Sequence, residues 1–157
     1  MKKVFASFIV LAALSLSANA QWYIGGGMGF DLNSNDGSTH AMFNIAPEGG
    51  YNFSDRMAAG LAVPITFSTE TSVNLTPYFR YKFVKFGPVS LFADAYAEFG
   101  SIASDFNWGI GVAPGLACDI KNNWSLAAHI GNIGYSEVSG FNLHLINGIS
   151  VGVYKTF

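Results

Sequence analysis

Five charged residues fall where an alternating chain turns them all to one side: Glu48, Arg80, Lys82, Asp94 and Glu98. Three carboxylates and two cations gathered in one space pair with one another, because an unpaired charge away from water is costly. The chemistry open to such a set is structural bracing, narrow conduction of ions or protons, or acid–base work by two carboxylates. The last needs substrate to reach the pair, and inward carboxylates in a packed interior give it no entry. Bracing is the reading carried forward.

The other reactive side chains are scattered. His40, His129 and His144 stand apart, and although His129 and His144 can become neighbours on adjacent strands, no Cys or carboxylate cluster completes a metal set. His40 with Ser38 comes nearest to a nucleophile and base, but a Ser-Thr-His run in a polar stretch reads first as loop. Cys118 is single, which excludes a disulfide framework. The glycine-rich run from Gly25 to Gly29 lacks the Lys-Ser/Thr and the helix of a phosphate loop. The sequence therefore assigns no catalytic residue, no metal and no cofactor.

What positions the five charges is a repeating strand pattern. Half of the residues are hydrophobic, 11% are charged and 18 are Gly. Yet past residue 20 no segment approaches the about 20 apolar residues of a membrane helix. The apolar residues are spread by alternation, and a period of two means strands. Eight such segments fill the chain at nearly even spacing: 22–31, 40–53, 57–67, 73–83, 89–99, 106–120, 124–135 and 141–157. In the seventh the alternation breaks after Ile130, which predicts either a bulge or an early exit of the strand near Gly131 and Asn132. Short connections at 54–56, 84–88 and 121–123 alternate with somewhat longer polar ones at 32–39, 68–72, 101–105 and 136–140. The pattern predicts an all-β, antiparallel up-and-down meander of eight strands.

The charges decide which face meets what. Glu48, Arg80, Lys82, Asp94, Glu98, Asp119, His129 and His144 all lie on the parity opposite the apolar one. A charge facing lipid at mid-depth costs about 2–4 kcal/mol, falling toward zero at the interfaces. A soluble barrel shows the reverse arrangement, and this chain has too few charges to clothe a soluble surface. Aromatic residues gather at the strand ends of the apolar parity. Trp22, Tyr51, Phe53, Tyr81, Phe83, Trp124 and Phe157 mark one rim, and Phe30, Phe43, Phe67, Phe99, Phe106, Trp108 and Phe141 the other. Two aromatic girdles around an aliphatic band predict a closed transmembrane β-barrel, the only sheet without an unpaired edge in lipid. Eight strands enclose an interior that side chains fill. Tyr23, Tyr78, Phe92 and Tyr96 are the bulky inward residues, with Gly25, Gly27, Gly29, Gly109, Gly111 and Gly115 making room. A turn at Lys85-Phe86 would set Tyr78, Arg80 and Lys82 against Phe92, Asp94 and Ser90.

The N-terminus supports export. Lys2 and Lys3 precede an apolar run from Val4 to Leu16, and Ala18-Asn19-Ala20 supplies a small-x-small cleavage pattern. A signal peptide over 1–20 leaves a single barrel domain over 21–157, with six basic against 10 acidic residues and a net charge of −4. That balance excludes the basic stripe a nucleic-acid partner requires.

With the strands placed, the chain resembles the small eight-stranded outer-membrane proteins typified by OmpX and the barrel domain of OmpA. It resembles especially the outer membrane protein beta-barrel domain proteins of Bacteroidetes. The runs PEGGYNFSDRMAAGL from Pro47 to Leu61, TPYFRYKF from Thr76 to Phe83 and VSLFADAYAEFG from Val89 to Gly100 carry the resemblance, with the terminal Phe157. It implies a Gram-negative outer-membrane location, contact with lipids and lipopolysaccharide, and insertion by the barrel-assembly machinery. Gly152 and Phe157 match the terminal assembly signal of such barrels, in which an aromatic closes the chain five residues after a Gly. Lys155 departs from that signal, sitting on the lipid parity where it must snorkel to the interface. The function implied is non-enzymatic: membrane integrity, or surface interaction through four short outer loops. The alternatives are a lipid A-modifying enzyme and a narrow, low-conductance channel.

Overall fold

The computed structural model describes residues 21–35, 38–67, 71–102, 105–137 and 140–157. The predicted signal peptide over 1–20 and parts of the four longer connections lie outside the described residues, as do the side chains of Ser38, His40 and His144. Alternation yields nine strand segments: β1 (Gln21–Asn35), β2 (Ser38–Asn52), β3 (Met57–Ala62), β4 (Ile65–Phe67), β5 (Ser72–Phe86), β6 (Val89–Ile102), β7 (Asp105–Asp119), β8 (Trp124–Ser136) and β9 (Gly140–Thr156). Segments β3 and β4 are two halves of one stave. The predicted third strand is interrupted at Val63-Pro64, because Pro64 has no N–H for the ladder. The register survives the break: Val63 N–H donates to the Pro47 carbonyl at 2.9 Å, and the Pro64 carbonyl accepts from Asn74 N–H at 2.9 Å.

The eight staves pair antiparallel in chain order, and β1 pairs with both β2 and β9. The sheet is thereby a closed barrel, and every stave finds two neighbours for its backbone groups. Phe157, just past β9, extends the closing ladder by donating its N–H to the Trp22 carbonyl at 2.9 Å.

Three tight turns mark one end of the barrel. Between β2 and β3 the Ser54 Oγ accepts from the N–H groups of Arg56 and Met57, at 3.3 and 3.1 Å. Between β5 and β6 the turn is Gly87-Pro88, with Gly87 at φ +58°. Asn122 and Asn123, at φ +63° and +59°, reverse the chain between β7 and β8. Asn tolerates this left-handed region better than other residues with a Cβ.

The structure corrects the predicted connections. At the opposite end the residues between strands are few, and the predicted 32–39 loop is largely ladder, paired as far as Asn35 with Ser38. Polar residues such as Asn33, Ser34 and Thr39 still carry backbone donors and acceptors, so the ladder continues past the apolar band. Fifteen residues in β1 exceed the about 9–11 that a tilted membrane strand needs. At the tight-turn end β5 runs to Phe86, so the predicted 84–88 turn shrinks to two residues. Lys82 consequently faces Phe92 rather than Ser90, and Tyr78 faces Tyr96, while Arg80 stands opposite Asp94.

Two bulges keep each side chain on its proper face. The register shifts in β5 between Lys82 and Val84, which brings Lys85 opposite the inward Ser90 and turns Phe86 outward. In β8 the register shifts at Gly131, whose φ is +113°. Beyond it Ile133 and Tyr135 face outward, and Asn132 turns inward. The outward surface is apolar: Trp22 is 68% exposed and Phe141 72%, whereas the inward Phe92 is fully buried. Ring pairs link neighbouring staves within both girdles, with Trp22 on Tyr51 at one rim and Phe43 on Phe67 at the other, 5.0 and 6.4 Å between centroids.

Candidate functional site

The interior is built in rows that follow the cross-strand register, and in each row a large side chain lies over the glycines of its neighbours. Tyr23, Gly50, Gly60 and Tyr78 stand opposite one another on β1, β2, β3 and β5. A Cβ on Gly60 would lie 2.6 Å from both the Tyr23 and the Tyr78 hydroxyl oxygens. Those two hydroxyls meet over the glycines at 2.6 Å. The same logic puts Phe92 over Gly115, where a Cβ would fall 2.8 Å from Cε2 and nearer still to Cζ. The ring thereby reaches His129 on β8, edge-on at 5.2 Å. Tyr96 lies over Gly111 and accepts a hydrogen bond from Asn132 Nδ2 at 2.9 Å.

At the centre is Asp94. Arg80 Nε and Nη2 each donate to one of its carboxylate oxygens at 2.7 Å, a bidentate pair directly across β5 and β6. The geometry is that of the stronger class of charge-assisted bonds. His129 Nε2 lies 2.8 Å from Asp94 Oδ2, and His129 Nδ1 lies 3.3 Å from Ser150 Oγ. The guanidinium is enclosed by rings, 4.2 Å from the Phe92 centroid, 5.3 Å from Tyr78 and 5.6 Å from Tyr154. Arg80 and Asp94 are 6% and 4% exposed, so the lumen is closed at this level by an ion pair within aromatic walls.

The five charges named from the sequence are not all joined by direct ion pairs, although Tyr154 bonds both Glu48 and Arg80 and so links Glu48 to the central pair. Arg80 and Asp94 pair. Glu48 accepts from the Tyr154 hydroxyl, and Glu98 accepts from the Asn74 side-chain amide. Lys82 makes no described ion pair and lies in the mouth at the tight-turn end. The mouth is a pocket of about 340 Å3 lined by Asn52, Asp55, Lys82, Lys85, Asp119 and other polar residues. There Lys85 pairs with Asp119 at 3.7 Å, both side chains well exposed. A hydroxyl or an amide satisfies a carboxylate without bringing a second charge out of water, and none of the described ion pairs involves Glu48 or Glu98. The sequence reading missed Tyr154, Asn74, Asn132, Ser150 and the partnership of His129. Tyr154, Asn74, Ser150 and His129 lie on the inward parity, whereas Asn132 is turned inward only by the β8 bulge, and the register shows which residue each one meets. Gly152, the small residue of the terminal run, is buried beneath the Tyr154 ring, and Phe157 is exposed at the girdle.

No family model matches the sequence, and none of the curated proteins matches it. Solved structures do match the fold. Neisserial surface protein A aligns with a TM-score of 0.62 at 16% identity, covering 89% of this chain and all of that one. A de novo designed transmembrane β-barrel gives 0.53 at 11% identity, covering 87% of this chain and 95% of that one. A further designed barrel, solved by NMR in solution, gives 0.55 at 9% identity, covering 88% and 95%. The closed antiparallel barrel, its outward apolar band and its girdles thus have the architecture of proteins that cross membranes with strands.

Proposed function

We propose that the protein is a non-enzymatic integral barrel of a Gram-negative outer membrane, of the OmpX-like kind. In this reading it is exported by its signal peptide and inserted by the barrel-assembly machinery into lipid and lipopolysaccharide. Its role is to support membrane integrity or to present the polar ends of its hairpins for surface interaction. The observation that carries the reading is the plug: Arg80 is held by Asp94, braced by His129 and walled by Phe92, Tyr78 and Tyr154. A lumen closed in this way favours a structural role over conduction. The succession Ser150, His129, Asp94 has the order of a nucleophilic triad, but Arg80 occupies both oxygens of Asp94 and Phe92 packs edge-on against the imidazole. That favours bracing over catalysis. Planar-bilayer recording tests the plug, with no unitary conductance expected at any voltage; discrete channel openings refute it. Cell fractionation with heat-modifiable gel migration tests the location. Mass analysis of lipid A from expressing cells tests the non-enzymatic reading, and a protein-dependent change in acyl composition overturns it.

A further inference from the structure

Of the charged side chains described within the strands, Lys155 alone lies on the outward face. It stands in a row across the seam where the barrel closes, opposite Ile24 of β1 on one side and Trp124 of β8 on the other. Its ammonium draws back toward the mouth. Nζ lies 5.5 Å from the centroid of the Trp124 ring and donates to the Asn122 carbonyl in the β7–β8 turn. An ammonium has three donors, and this carbonyl takes one. None of the described ion pairs engages Lys155. Around it Trp22, Trp124 and Phe157 are 68%, 45% and 70% exposed. Beside it Ile24 and above it Leu126 and Val153 present an outward apolar strip over the same three strands.

We propose that this patch is a site for a phospholipid bearing a net anionic headgroup. The phosphodiester takes the remaining donors of Lys155, and an acyl chain lies along Ile24, Leu126 and Val153. Indole rings sit at headgroup level, where one edge is apolar and the other wet. A lysine at the membrane surface attracts anionic lipid. Because none of the described ion pairs involves Lys155, a headgroup carrying its own ammonium fits poorly, since that group neutralises the phosphate and faces a like charge. The inference rests on the membrane-barrel reading and goes beyond it.

The test is native mass spectrometry of the intact barrel refolded in detergent, titrated with phosphatidylglycerol or phosphatidylcholine. The wild type should retain one phosphatidylglycerol in preference to phosphatidylcholine, and the preference should fade as salt rises. Lys155→Met should weaken phosphatidylglycerol retention about fivefold and leave phosphatidylcholine unchanged. Lys155→Arg should keep the preference, and Lys85→Met, which alters a lysine inside the mouth, should also keep it. Equal retention of both lipids by the wild type overturns the proposal without reference to any variant. So does a preference that survives Lys155→Met or disappears with Lys85→Met. A wild-type chain that folds into no detergent or bilayer refutes the membrane reading itself, which separates the two failures.

Discussion

Phe92 of β6 and Gly115 of β7 stand directly opposite each other, and the Phe92 ring occupies the space that a Gly115 side chain would fill. The glycine gives the ring its route to Arg80 and His129, so the central packing depends on a residue with no side chain. Adding a methyl group would push either the ring or the Ala128 carbonyl, which would be 2.7 Å away. Gly115→Ala should therefore destabilise the barrel by about 1–3 kcal/mol, the usual cost of overpacking. Gly27→Ala is the matched control, because its Cβ would meet nothing nearer than the Val151 carbonyl at 3.5 Å, an ordinary contact. Urea unfolding in lipid vesicles, followed by tryptophan fluorescence, measures both. Equal stability of the two variants would show that the ring is not seated as described.

The Arg80–Asp94 pair should behave as a buried unit. Removing one member strands the other charge, at a cost of about 3–5 kcal/mol. Arg80→Met and Asp94→Leu should each be strongly destabilising, and the double variant less so than the sum of the two. A double-mutant cycle on the same unfolding assay reads this coupling. Strict additivity would mean that the pair is solvated and contributes little.

Facing can be tested at one outward and one inward alanine. Ala95 is exposed on β6, and Ala113 lies on the inward parity of β7. Ala95→Arg sets a charge against hydrocarbon, at about 2–4 kcal/mol, and should fail to insert. Ala113→Ser should fold. Insertion is scored by heat-modifiable migration, and normal assembly of Ala95→Arg would reverse the assigned faces of β6.

The terminal residue offers two separable roles. Its backbone donates to Trp22, and its ring belongs to the girdle. Deleting Phe157 removes both, whereas Phe157→Ala keeps the backbone bond. Both changes should lower the yield of assembled barrel if the ring is read by the insertion machinery. Unchanged yield from Phe157→Ala reduces the ring to a girdle contact.

The closed barrel was legible because its two signals are local: alternation of two residues and the sorting of charge by parity. Even the β8 irregularity showed in the sequence, as Asn132 and Ile133 exchanging faces. The β5 bulge did not show, because Phe83, Val84 and Phe86 are all apolar and hide a shift of one residue; only Lys85, turned into the mouth, betrays it. The lumenal partners were less legible for a different reason. Parity says that Glu48, Tyr154, Asn74 and Glu98 face inward, but who meets whom depends on the stagger between strands far apart in the chain. Glu48 and Tyr154 are brought together only by closure of the barrel through β1. The break at Pro64 was visible as a residue type, yet its effect on the ladder depended on Pro47 and Asn74 covering the gap.

The bond from Phe157 to Trp22 places the first and last described strands side by side at the tight-turn end. Topologically the described barrel is a ring of staves with one unjoined link between β1 and β9. A short flexible tether between residues 21 and 157 would complete that ring, and cutting it at Gly87-Pro88 would give a chain of the same staves in rotated order. Such a permuted chain would keep every row of the lumen while changing which strand leaves the ribosome last, separating what the folded barrel needs from what its construction needs.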